Sequence, residues 1–197
     1  EFVTTYKRFT NMTLKRIIQI GFSNVDCIKI PWVMMSCNHR NDDPPSILQH
    51  ITHRWNHDHK HPHPSKWKKG ECRFNEIQVK CIFKTASYRH FNDHFPDISP
   101  QSDPICINSV NGKRERHDCF FNQLRETHIQ QAPLLCFHYR IISKESCVRK
   151  TTLNGFDAYN NNWQSLMESD HPDMAENHLR EKSIQRFGIK NYICPSP

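Results

Sequence analysis

The chain has little glycine, no Cys-x-x-Cys pair and no long apolar run. Only 5 of its 197 residues are glycine, so few positions adopt the left-handed backbone at low cost. The absence of Cys-x-x-Cys argues against zinc ribbons, zinc knuckles and thioredoxin-type redox sites. No stretch approaches the roughly eighteen apolar residues of a membrane span. A glycine-rich phosphate loop and a Gly-x-Ser-x-Gly elbow are also missing, so no motif names a reaction.

The composition is basic, with 27 Lys and Arg against 20 Asp and Glu and a formal net charge of +7. The 14 histidines would add to this charge in mild acid, because free imidazole titrates near pH ~6.5. Basic proteins of this kind tend to meet phosphates, sulfated glycans or acidic surfaces. We therefore expect an anionic polymer or surface, nucleic acid or sulfated glycan, as a partner. The alternative is a solubilising basic surface.

Nine cysteines are present, which is an odd number. Their spacing suits local disulfides in the pairs Cys27/Cys37, Cys72/Cys81, Cys106/Cys119 and Cys136/Cys147, although connectivity cannot be read from spacing. Disulfides, a start at Glu1 and the sequon at Asn11 favour a secreted, extracellular protein. A cloning boundary explains Glu1 equally well.

Two segments carry helix-start signals, an aspartate closely followed by proline: Asp43-Pro44 and Asp170 with Pro172. Alternating apolar and polar residues from Ile77 to Phe83 predict a strand. The sequence therefore predicts a single α+β domain over residues 1–197. It would contain an antiparallel sheet and two helices, near 44–57 and 170–187, with disulfides as added support.

The densest group of histidines lies in the segment 57–72, which we predict to be an exposed His/Lys-rich segment within the domain. Alternate side chains of an extended chain project to the same side, so four imidazoles would line one face. Neutral imidazole is a good ligand for transition metals, and a neighbouring carboxylate can orient or ligate. We therefore predict a site for zinc or another divalent transition metal, formed by His57, His59, His61, His63 and Asp58. The alternative is a polar loop that binds metal only weakly.

A second metal candidate is a mirrored pair of short motifs, His-x-Cys and Cys-x-His. Its residues are His117, Cys119, Cys136 and His138. On two neighbouring strands these four side chains could form a Cys₂His₂ tetrahedron. The alternatives are a disulfide between the two cysteines or simply buried thiols.

Basic residues alternate with aromatic ones towards the end of the His/Lys-rich segment. The candidate anion-binding residues are Lys66, Lys68, Lys69 and Arg73. Interleaved aromatic and basic side chains can stack on bases and contact phosphates. A tryptophan anchored in the core with solvated lysines around it is the alternative.

From these features we expect a non-enzymatic binding protein. Its His-rich segment would bind a divalent transition metal or, when protonated, an anionic partner. A second hypothesis is a secreted, basic, ribonuclease-like phosphodiesterase that uses two histidines as acid and base and a lysine on the phosphate. A third is an artificial or newly arisen sequence without an evolved function.

Overall fold

The structure is a computed structural model that describes residues 1–61, 77–91, 94–98, 103–116, 124–153 and 162–187. These residues form helices and mostly antiparallel strands, which confirms the predicted α+β class. The chain divides into two compact units, Glu1–Val33 with Phe74–His138 and Met34–Arg73 with Tyr139–Pro197. One domain over residues 1–197 stays a prediction.

The first unit is built on a long buried strand, β2. The described strands of this unit are β1 (Phe2–Thr5), β2 (Cys27–Ser36, which continues into the second unit), β4 (Val79–Phe83), β5 (Tyr88–Phe91), β6 (Pro96–Ile98), β7 (Cys106–Asn108) and β8 (Leu134–His138). β2 pairs antiparallel with β4 and parallel with β7. β1 pairs antiparallel with β8, and β5 with β6. Every residue of β2 is buried, as its nearly continuous apolar sequence favours.

Two α-helices are described in the first unit, α1 (Leu14–Gly21) and α3 (Glu126–Gln131). Thr13 caps α1, since its side-chain oxygen accepts the N–H of Arg16 at 3.1 Å. Ile17 is the buried residue of α1 and Ile129 that of α3.

In its described residues, the second unit combines two short strands with four helices. The strands are β3 (His53–Arg54) and β9 (Met174–Ala175), and the helices are α2 (Ile47–His50), α4 (Lys144–Leu153), α5 (Trp163–Met167) and α6 (His178–Phe187). β3 pairs antiparallel with the last residues of β2 on one side and with β9 on the other. The buried Arg54 forms an ion pair with Glu176 at 3.3 Å.

Both predicted helices are shorter than expected. Near 44–57 only Ile47–His50 is helical, because residues 53–54 pair with strands on both sides and leave the helix. Near 170–187 the helix begins at His178. The carboxylate of Asp170 accepts the backbone N–H groups of Cys37 and His39 instead of capping its own helix.

The expected disulfides are not formed among the described cysteines. Free thiols are found at Cys27, Cys37, Cys81, Cys106, Cys136 and Cys147. The predicted pairs Cys27/Cys37 and Cys136/Cys147 are therefore wrong for this structure. Cys81 and Cys106 are free as well, and their expected partners lie outside the described residues. The thiol of Cys37 donates to Oδ2 of Asp170 at 3.2 Å, and Cys27 packs with Cys106 in the core.

Candidate metal centre

Two neighbouring strands of the second unit bring distant polar residues together. β3 and β9 pair antiparallel, with Arg54 opposite Met174. In an antiparallel pair, the residues after one strand lie beside the residues before the other. The backbone N–H of Asn56 donates to Oδ2 of Asp173 at 2.8 Å and fixes this junction.

A tight turn after Asn56 brings two histidines to the same aspartate. The side-chain oxygen of Asn56 accepts the N–H of Asp58 at 2.9 Å, and its backbone oxygen accepts the N–H of His59 at 3.0 Å. Such local side-chain-to-backbone bonds are typical of asparagine at turns. The turn places His59 and His61 on the same side as Asp173.

His59, His61 and Asp173 form a compact group, which we call the imidazole–carboxylate cluster. Nε2 of His61 lies 2.8 Å from Oδ2 of Asp173, and Nδ1 of His59 lies 3.8 Å from the same oxygen. The three ligand atoms all lie within 4.8 Å of one another. In a tetrahedral zinc site with bonds of about 2.0–2.1 Å, neighbouring ligand atoms are separated by about 3.3 Å. The two observed separations bracket that value, so the cluster could hold a metal ion.

Aromatic packing fixes His61 more firmly than His59. The ring of His61 stacks on that of His171, with centroids 4.0 Å apart and planes 12° apart. The buried Trp55 contacts both rings, at 4.9 Å from His61 and 5.0 Å from His171. The side chain of His61 is 12% exposed, whereas that of His59 is 58% exposed. His61 is therefore the more rigidly held of the two candidate ligands, and His59 faces the solvent.

The protonation states of the cluster suit metal binding near neutral pH. Burial lowers the pKa of His61 below its usual value, although the carboxylate of Asp173 opposes this shift. Burial alone would raise the pKa of Asp173, but the Asn56 N–H and then His61 lower it overall. Burial, and then the neighbouring His61 ring, lowers the pKa of His171 to about 4. At neutral pH, His61 is thus uncharged and Asp173 ionised, and the Nε2–H of His61 donates to Asp173. A metal at Nε2 would shift that ring proton to Nδ1, with no change in the charge of the ring.

Asn56 also sets the tautomer of His59. Its side-chain nitrogen lies 3.2 Å from Nε2 of His59, while its side-chain oxygen is engaged by the Asp58 N–H. The amide therefore donates to Nε2, which leaves the ring proton on Nδ1, facing Asp173. A metal bound at Nδ1 would displace that proton to Nε2 and would require the Asn56 amide to turn. This hydrogen bond therefore opposes metal binding at His59.

Of the predicted metal ligands that the structure describes, it brings together His59 and His61. His57 is 4% exposed and its Nε2 accepts the N–H of Met34 at 3.3 Å, so it is turned away from the cluster. Asp58 is exposed and is not part of the three-residue cluster, and His63 lies outside the described residues. The pattern of alternating residues fails because a turn, not an extended strand, follows Asn56.

The second predicted metal site is described only in half. His117 and Cys119 lie outside the described residues. Cys136 is a fully buried thiol, whereas His138 stacks on Trp32 with ring centroids 3.6 Å apart. Nδ1 of His138 also lies 2.9 Å from a carboxylate oxygen of Glu1.

The candidate anion-binding residues Lys66, Lys68, Lys69 and Arg73 lie outside the described residues, and their role stays a prediction. Asp173 is not among the predicted ligands, because in the sequence it directly follows the helix-start signal at Asp170 and Pro172. The local sequence hints at a ligand role only in that Asp173 follows His171 by two residues. Its proximity to His61, which is 112 residues away, depends on the pairing of β3 with β9.

Comparison of the chain with protein-family models, with curated proteins and with solved structures found no match. In the described part of the chain, no helix is long and apolar enough to cross a membrane.

Proposed function

We propose that this protein is a non-enzymatic binding protein for a divalent transition metal ion, with His59, His61 and Asp173 as ligands. One observation carries the proposal. A carboxylate 112 residues away in the sequence reaches two imidazoles that a single turn has already brought together. A histidine tract that binds metal by composition alone has no need of such a distant partner.

Zinc fits this donor set best. Two imidazole nitrogens and one carboxylate oxygen supply three of the four ligands of a tetrahedral zinc ion, and water takes the exposed fourth position. Calcium and magnesium prefer all-oxygen sites, so two imidazoles disfavour them. The lowered pKa of His61 also favours metal over a protonated, anion-binding state, because the ring resists a proton in mild acid.

Zinc affinity of the chelator-treated protein tests the proposal. We would measure it by competition against a chromophoric zinc chelator, for wild type and for His61→Ala, His59→Ala and Asp173→Asn. Asp173→Asn keeps an oxygen that can accept the Asn56 N–H, so the junction between the strands survives. We expect each substitution to weaken zinc binding by at least about a hundredfold, since even outer-shell partners are worth about 10–100-fold.

The matched controls are His50→Ala and His53→Ala, which remove histidines outside the cluster. Zinc affinity should be unchanged in both. If Asp173→Asn binds zinc as tightly as wild type while the folded state is retained, the cluster is not the site. In that case, binding would belong to the histidine tract as a whole.

An anionic polymer as a further partner rests on the net charge of +7 and stays a prediction. The ribonuclease-like alternative is separated from metal binding by an RNA-cleavage assay with and without EDTA. Cleavage that persists in EDTA and is lost in His61→Ala would support the enzyme over the binding protein.

A further inference from the structure

Three cysteines of the first unit lie on one face of three paired strands. Cys27 on β2 is directly opposite Cys106 on β7 in the parallel register. In the antiparallel register of β2 with β4, Cys27 is opposite Phe83 and Cys81 is opposite Lys29. Because residues two apart on a strand share a face, Cys27, Cys81 and Cys106 all project to the same side. We call these three residues the thiol cluster.

Cys27 is the centre of the thiol cluster. Its side chain hydrogen-bonds with those of both Cys81 and Cys106, and the Tyr88 side chain lies against the same sulfur. Cys27 and Cys106 are 0% and 1% exposed, whereas Cys81 is only partly buried. Cys27 thus contacts each of the other two cysteines, all three thiols are free, and the three sulfurs do not all lie within 4.8 Å of one another. In metal–thiolate sites with bonds of about 2.3 Å, neighbouring sulfurs are separated by about 4 Å, so an ion shared by all three would have to draw Cys81 and Cys106 together around Cys27.

An ion pair between a buried lysine and a partly exposed glutamate lies beside the thiol cluster. The ammonium of Lys29 is completely buried and lies 3.3 Å from a carboxylate oxygen of Glu115. Lys29 favours a thiolate at Cys106, and Glu115 opposes it. The hydrogen bond with Cys27, and then burial, raises the pKa of Cys106 overall, so at neutral pH it is a protonated thiol.

We propose that Cys27, Cys81 and Cys106 form a binding site for a soft monovalent metal ion, Cu(I). Soft thiolate ligands select Cu(I), and three sulfurs complete a trigonal shell around one ion. Zinc is disfavoured because a structural zinc site needs four ligands. The preformed ligand group found among the described residues is the imidazole–carboxylate cluster, so the thiol cluster is not part of a preformed four-ligand site.

Binding exchanges protons for the metal and involves no electron transfer. One Cu(I) replaces the protons of the thiols that it ligates, and these protons pass to the solvent. The partly exposed Cys81 is the entry point, and Cys27 then links the ion to the buried Cys106. The ammonium of Lys29 supplies positive charge beside the resulting thiolates.

Anaerobic titration of the reduced, full-length protein with acetonitrile-stabilised Cu(I) tests the proposal. A chromophoric Cu(I) chelator serves as competitor, and copper-edge X-ray absorption reports the ligand atoms. We expect one tightly bound ion with a first shell of sulfur only. Cys27→Ala should weaken binding by at least about a hundredfold, and Cys81→Ala, which leaves two sulfurs, by about tenfold.

Cys136→Ala is the matched control, because it removes a buried thiol outside the thiol cluster. It should leave Cu(I) affinity unchanged, and so should His61→Ala, which separates this site from the imidazole–carboxylate cluster. Circular dichroism of each variant monitors folding, and the partly exposed Cys81 carries the test if Cys27→Ala does not fold. Equal losses in Cys136→Ala and Cys81→Ala would overturn the proposal. So would a Cys27–Cys106 disulfide without bound copper, detected by peptide mapping.

Discussion

The imidazole–carboxylate cluster and the thiol cluster differ in where they lie on their strands. The first is formed by residues just beyond the ends of β3 and β9, and its His59 is 58% exposed. The second lies within three paired strands, with Cys106 1% exposed. Positions beyond strand ends leave a coordination site open to water, which suits exchangeable zinc. Positions within a sheet exclude water, which suits a soft ion held by sulfur alone.

The two clusters also differ in the protons that a bound metal would have to displace. In the imidazole–carboxylate cluster, burial lowers the pKa of His61, so this ring is uncharged at neutral pH and keeps one proton, on the Nε2 that donates to Asp173. In the thiol cluster, the hydrogen bond with Cys106 lowers the pKa of Cys27, but the bond with Cys81 and burial raise it to about 12. Cu(I) must therefore displace protons that the folded protein holds firmly. Zinc at the first cluster would only move ring protons from one imidazole nitrogen to the other, whereas Cu(I) at the second would release thiol protons to the solvent.

The largest effect that would sharpen this contrast is expected for Asn56→Asp. The side-chain amide of Asn56 opposes metal at Nδ1 of His59, because it donates to Nε2. An aspartate at position 56 would instead accept an Nε2–H from His59, which leaves Nδ1 of His59 free to bind metal. Its second oxygen would still accept the Asp58 N–H, as the Asn56 oxygen does now. We expect zinc affinity to rise by about tenfold to a hundredfold, measured by chelator competition, with Cu(I) affinity unchanged.

The double variant Asn56→Asp with Asp58→Asn is the control for added negative charge. It moves the carboxylate from position 58 to position 56 and leaves the local net charge unchanged. Because the new carboxylate still accepts from His59, the gain in zinc affinity should remain. A gain that disappears in the double variant would mean that general electrostatic attraction, and not the tautomer of His59, is responsible.

The sequence revealed one cluster in part and gave no signal for the other. His59 and His61 stand out as a histidine-rich segment, and their chemistry could be predicted from residue type. Asp173 could not, because only the pairing of β3 with β9 brings it near. The thiol cluster depends on the register of Cys27 against Cys106, and a one-residue slip would turn one of them to the other face.

The same reasoning explains which parts of the fold were predictable. The strand around Val79–Phe83 follows from local alternation, and the α+β class follows from several such signals together. The helix predicted near 44–57 does not include His53 and Arg54, because these two residues pair with β2 on one side and with β9 on the other. At these residues, strand pairing in the folded protein outweighs the local preference for helix.

An effect of intermediate size is expected in the acid stability of the second unit. The pKa of His171 is about 4 in the folded protein, mainly because of burial, against about 6.5 in an unfolded chain. Between these values the unfolded state binds more protons, so the free energy of unfolding falls as pH decreases from 6.5 to 4. His61 shifts in the same direction. After allowance for solvent screening of these half-buried rings, we expect a loss of about 1–2 kcal/mol.

Urea unfolding at a series of pH values measures this loss. His171→Phe keeps an aromatic ring against His61 and should remove a large part of the pH dependence. The matched control is His50→Phe, at an exposed histidine outside the cluster, which should leave the profile unchanged. An identical slope in wild type and His171→Phe would show that this ring does not exclude protons in the folded state.

The smallest effect is expected from Glu115→Gln, which tests the electrostatics of the thiol cluster. Glu115 is the partner of the buried Lys29, and it also accepts a hydrogen bond from the Asn108 amide at 2.8 Å. Glutamine retains that acceptor but removes the negative charge, while Lys29 keeps its bond to the Arg116 carbonyl at 3.2 Å.

Without Cu(I), the variant should be less stable than wild type, because the charge of Lys29 has lost its carboxylate. With Cu(I), the anionic copper–thiolate group takes the place of Glu115 as the counter-charge, so binding should be tighter by about fivefold, or about 1 kcal/mol. The shift in unfolding temperature on adding Cu(I) should accordingly be larger than in wild type. Asp97→Asn removes the same charge from an exposed position of the first unit and should leave the shift unchanged. Equal shifts in Glu115→Gln and wild type would mean that Lys29 does not sense charge on the three sulfurs, and that copper, if bound, is bound elsewhere.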